Sequence, residues 1–144
     1  MAPETIFQLC STLALIGWIV LIFIAPFWPA FDKILVGIVI TLFCIVYSWL
    51  VIFNLEPGGI KNFGSLDGVM NLFQNRTLVT AGWVHYLAFD LMVGIWIKKN
   101  ARLHNINHWF IAPCLMFTFM FGPMGLLFYL ILRWVKTQKY FPAN

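Results

Sequence analysis

Two ionisable side chains, His85 and Asp90, stand near the middle of an otherwise apolar run from Leu78 to Ile97. A group that can carry charge costs about 2.5–3.5 kcal/mol at the centre of a membrane helix, so its presence there points to function. Imidazole and carboxylate together are the usual means of general acid–base chemistry. Five residues of helix rotate one about 140° from the other, so each faces a different neighbour. Tyr47, Ser48, Thr118 and Tyr129 are the polar groups available as partners. Asp90 shares a face with Tyr86 and Trp83, four and seven residues earlier. The competing reading is structural: interhelical hydrogen bonds worth about 0.6 kcal/mol each, with no chemistry attached.

Three other groupings carry weaker signals. His104 and His108 are spaced i, i+4, a metal-ligand spacing, but three histidines in all are too few for a di-iron histidine-box enzyme. We expect no metal and no cofactor, and both imidazoles at the membrane surface. Gly122-Pro123-Met124-Gly125 interrupts an apolar run and leaves the carbonyl of Phe119 without its helical donor. Such a break either exposes backbone at an embedded site or makes a simple kink. Cys10, Cys44 and Cys114 all lie in apolar runs and form neither a disulfide framework nor a C-x-x-C pair.

The elements that must position these groups are helices in a membrane. The 144 residues are 62% apolar and 10% charged, with mean hydropathy +0.88. Soluble domains run near 45–50% and about 25%. The net charge of +4 lies between the apolar runs, with no basic stripe that would suit nucleic acid. The expected fold is all-α, a single domain over 1–144. It is a four-helix transmembrane bundle with spans near 5–25, 34–53, 78–97 and 110–132. A short amphipathic helix near 66–75, with Ser65 as its cap, lies at the interface between the second and third spans. Pro113 is expected in the first turn of the fourth span. The N-terminus has no basic leader region, so the first apolar run reads as a retained span rather than a signal peptide. Four crossings put both termini on one side with Lys61, Arg76, Arg133, Lys136 and Lys139, against Lys33, Lys98, Lys99 and Arg102. That distribution gives no orientation under the positive-inside rule.

Gly82-Trp83-Val-His85-Tyr86-Leu-Ala-Phe-Asp90-Leu, followed by Gly122-Pro123-Met-Gly125, resembles the abscisic-acid-deficient-four family of small integral membrane proteins. The similarity runs from about Ser65 through Leu132. The resemblance implies a link to carotenoid or isoprenoid metabolism, where plant members are required to form neoxanthin from violaxanthin by opening an epoxide. On that reading His85 and Asp90 are the catalytic pair of an isomerase-type enzyme. One would protonate an epoxide or polyene while the other accepts a proton. Arg76, Trp83, Tyr86 and Pro123 would bind the substrate, with Arg76 near the mouth to orient a polar end group. The alternative is a non-catalytic carotenoid- or lipid-binding or assembly protein, and a small proton-coupled transporter is a third. Expected partners are a membrane lipid or carotenoid, a second copy or another membrane protein, and no nucleic acid. Without a plastid-targeting extension, the expected location is a bacterial inner membrane.

Overall fold

A computed structural model describes residues 2–28 and 30–138. The described residues are helical with no strand. Three helices are long and apolar enough to cross a membrane: α1 (Pro3–Ile24), α2 (Ala30–Asn54) and α4 (Arg76–Leu103). Between α2 and α4 lie a 3-10 stretch, Gly59–Gly64, and the short helix α3 (Leu66–Leu72). Two further helices follow, α5 (His108–Phe121) and α6 (Pro123–Thr137).

Local chemistry sets most of these boundaries. Pro3 opens α1 where its missing N–H is harmless. Both long N-terminal helices contain a π-helical stretch, at Val20–Ile24 and Leu35–Ile40. Ser65 Oγ accepts from the Gly68 amide and starts α3, as its position predicts. The apolar face of α3 carries Val69 and Leu72, but the helix stops there rather than near Arg76. Asn75 then caps α4 by accepting from the amides of Thr77 and Leu78.

Helix α4 is the centre of the molecule, with α1, α2 and α5 packed around it. Gly94 lets the Trp18 ring and Leu21 come so close that any Cβ there would lie within 2.6 Å of the ring. Trp18, Leu21, Leu91 and Ile95 are almost fully buried in this core. At the far end, Lys98 Nζ donates to Asp32 Oδ1 at 2.6 Å and to the Ala25 carbonyl at 2.8 Å, all of it buried. That clasp holds the α1–α2 turn on α4.

The expected fourth span is not a single helix. Residues 110–132 fall on two antiparallel helices, because Gly122, at φ +37° and ψ −93°, turns the chain back on itself. The Phe117 and Phe128 rings meet at 5.0 Å, and Lys136 Nζ lies 4.7 Å from the Phe110 ring. In one continuous helix each pair would be at least about 16 Å apart. Gly125 makes the tight return possible: a Cβ there would overlap the backbone of Thr118 and Cys114. Since α5 starts at His108, Pro113 lies past its first turn and not within it.

The hairpin also moves the positive charges. Arg133 Nη1 donates to Asn100 Oδ1 at 3.0 Å, so the end of α6 lies beside the end of α4. The described residues therefore begin and end at opposite ends of the helices, not at one end as four crossings would require. Lys33, Lys98, Lys99, Arg102, Arg133 and Lys136 share one end, while Lys61 and Arg76 lie at the other among the described residues. Lys139 lies outside them.

Candidate functional site

The α5–α6 turn is held against the middle of α4. Tyr86 and Asp90 project one helical turn apart on the face that α5 covers. Tyr86 Oη donates to the Phe119 carbonyl at 3.2 Å, with the Met120 carbonyl at 3.3 Å. The first of these is the carbonyl that Pro123 leaves without a helical donor, so a side chain from another helix supplies the missing proton. Asp90 is 8% exposed, and its carboxylate lies directly on the turn. A Cβ on Gly122 would sit 2.7 Å from Oδ1. Asp90 Oδ2 is buried and accepts no hydrogen bond. Pro123 is thus part of the turn that Tyr86 and Asp90 hold, and opens α6 at its N1 position.

His85 belongs to a different place. It is exposed on the side of α4 facing α2, with its ring 4.5 Å from Phe89 and 5.3 Å from Tyr47. Two cavities meet at Tyr47 and His85. One, of about 280 Å³, runs outward between Val51 and Leu55 of α2 and Ala81 of α4, under Phe63, Val69 and Phe73. The other, of about 290 Å³, runs inward past Phe43, Cys44 and Phe89. From Phe43 to Leu55 is twelve residues of helix, so the joined groove is about 18 Å long. Its walls are almost wholly apolar, and His85 at the junction is its one imidazole. Helix α3 roofs the outer end because Gly68 packs tightly on the backbone of Asn62.

The six residues singled out from sequence therefore divide three ways. Asp90, Tyr86 and Pro123 meet at the hairpin turn. His85 stands alone in the groove. Trp83 and Arg76 bind α1: Trp83 Nε1 donates to Ser11 Oγ at 2.9 Å, and Arg76 pairs with Glu4 at 2.8 Å on the exposed surface. Arg76 lines a separate cavity with Glu4, Phe7 and Gln8, not the mouth of the groove. Of the four polar partners expected for His85 and Asp90, Tyr47 does lie against His85. Thr118 instead bonds the Cys114 carbonyl, and Tyr129 bonds Asn100.

Sequence reasoning missed two things. Lys98 and Asp32 pair across 66 residues of chain, a separation that leaves no spacing to join them. The groove residues Phe43 and Val51 sit in runs so uniformly apolar that no periodicity marks a lined face. His108, expected at the surface, is half-buried with Nε2 2.8 Å from the Ile22 carbonyl, which makes the ring a donor there. No group of three or more His, Cys, Asp or Glu side chains among the described residues could hold a metal ion.

Neither the curated proteins nor the solved structures compared with this chain include a match. Residues 5–129 match the ABA4-like family, described as ABA DEFICIENT 4-like. That match spans both the groove and the hairpin turn, and with it the chain belongs to the ABA4-like family.

Proposed function

We propose that this is a membrane protein that binds an elongated isoprenoid lipid of the carotenoid type in the groove between α2 and α4, with His85 as the proton-handling group facing it. The observation that carries this reading is the groove itself: about 18 Å of largely apolar wall whose one imidazole, His85, stands beside the hydroxyl-bearing Tyr47 and Ser48. Membership of the ABA4-like family supports the choice of ligand class. The chain crosses the bilayer three times, and α5 and α6, at 14 and 15 residues, enter and leave from the same face. The end with six of the positive side chains then faces the cytoplasm or its equivalent compartment.

Binding is favoured over a two-residue acid–base mechanism because Asp90 and His85 face different elements. Asp90 is covered by the hairpin turn and offers no surface to a ligand in the groove. If an epoxide is opened here, His85 has to deliver the proton to oxygen and afterwards take one from carbon, an isomerisation with no other reactant. Gly82→Leu tests the binding step, since a side chain there enters the cavity near Phe73. Wild-type protein extracted in mild detergent is expected to carry isoprenoid lipid, and Gly82→Leu to lose most of it while folding normally. His85→Gln should keep the ligand and lose any conversion. Wild-type protein that carries no isoprenoid lipid, or Gly82→Leu that carries just as much, would sink the proposal.

A further inference from the structure

We propose a second, separate ligand site at the positively charged end: a pocket for the anionic phosphodiester of a membrane phospholipid, held by Lys98 and Arg102. A cavity of about 140 Å³ lies there between the end of α4, the start of α5 and the α1–α2 turn. Its polar lining is Lys98, Arg102 and His108, and its apolar lining includes Pro26, Ile106 and Ile111.

The donors are partly committed and partly free. The Lys98 ammonium uses two of its three N–H groups on Asp32 and Ala25, which leaves one. That pair is internally neutral. Arg102 makes no ion pair among the described residues, and its guanidinium offers five N–H donors in a planar fork suited to phosphate. The pocket therefore has one uncompensated positive charge and fixed donors beside it. Basic pockets between helices on the cytoplasmic side of a membrane are where anionic headgroups bind. Around it, Phe27, Trp28, Trp109 and Phe110 are exposed, an aromatic belt at the height where a headgroup meets its chains. None of these residues contributes to the groove at His85.

Thermal unfolding of the full-length protein in a neutral detergent, followed by tryptophan fluorescence, tests the site. The probes are palmitoyl-oleoyl phosphatidylglycerol, phosphatidylcholine with the same chains, and sodium phosphate. Phosphatidylcholine carries the same phosphate under a tethered cation. Phosphatidylglycerol should raise Tm saturably and phosphatidylcholine should not. Arg102→Gln should raise the half-saturating lipid fraction at least about tenfold, the loss of one charge-assisted pair. Lys33→Gln, an exposed change at the same end but outside the cavity, should leave it unaltered. Sodium phosphate alone reproducing the full shift would overturn the lipid as occupant and assign the pocket to the soluble ion. Equal shifts with both lipids, or an equal effect of Lys33→Gln and Arg102→Gln, would overturn the site.

Discussion

Replacing Gly122 by alanine puts the hairpin turn to the test. Two costs add at this position. A φ of +37° with ψ −93° is a conformation that residues with a Cβ rarely adopt, worth about 1–3 kcal/mol of strain. The new Cβ would also stand 2.7 Å from Asp90 Oδ1 and 3.2 Å from its Cγ, an overpacking of about 1–3 kcal/mol in a closed site. The sum is roughly 2–6 kcal/mol, and at about 4 °C per kcal/mol for a chain of this size the unfolding midpoint should fall by roughly 8–24 °C. The two parts can be separated. Asp90→Ala removes the clash but not the strain, so in a double-mutant cycle Gly122→Ala should cost about 1–3 kcal/mol less on the Asp90→Ala background. Tryptophan fluorescence during thermal or SDS unfolding in detergent reads both quantities. A Gly122→Ala protein that unfolds within about 2 °C of wild type would refute the strained turn. Additive single changes would refute contact between the carboxylate and the turn.

Other outcomes follow from the same structure. Lys98→Met leaves the Asp32 carboxylate buried without its partner and should cost about 3–5 kcal/mol in the same unfolding assay. Lys98→Met with Asp32→Leu should recover most of that loss, and a double variant no better than the single one would contradict the clasp. Reporters fused to the two termini should lie on opposite sides of the membrane, the C-terminal one on the cytoplasmic side. Finding both on one side would restore a fourth crossing. Gly68→Ala would drive a Cβ into the Asn62 carbonyl oxygen and should dislodge α3 from the groove mouth. We expect faster exchange of bound lipid with vesicles and an unchanged unfolding midpoint, and an unchanged exchange rate would argue against α3 as a roof.

The helical class, the three long apolar helices and the Ser65 cap were legible in the sequence because length, hydropathy and cap chemistry are local properties. So was the need for a donor at the Phe119 carbonyl, which follows from Pro123 alone. Its source, Tyr86, was not, since 33 residues separate the two. The hairpin was hidden by a length argument. Residues 110–132 are long enough and apolar enough for one crossing, and only the backbone angles of Gly122 decide between a kink and a reversal. The separation of His85 from Asp90 was visible as a rotation along the helix. Which of them is covered by protein and which opens to a groove depends on where α5 packs, and no spacing within α4 reports that.

The bond from Lys98 to the Ala25 carbonyl has a consequence for biogenesis. The turn between the first two helices is made early in synthesis, but the side chain that fixes it is 66 residues beyond Asp32 and 73 beyond Ala25. Until the third long helix is inserted, Asp32 has no counter-ion and the first helical hairpin stays unlatched. Truncation anywhere before Lys98 should therefore yield a pair of helices that reach the bilayer but never settle against each other.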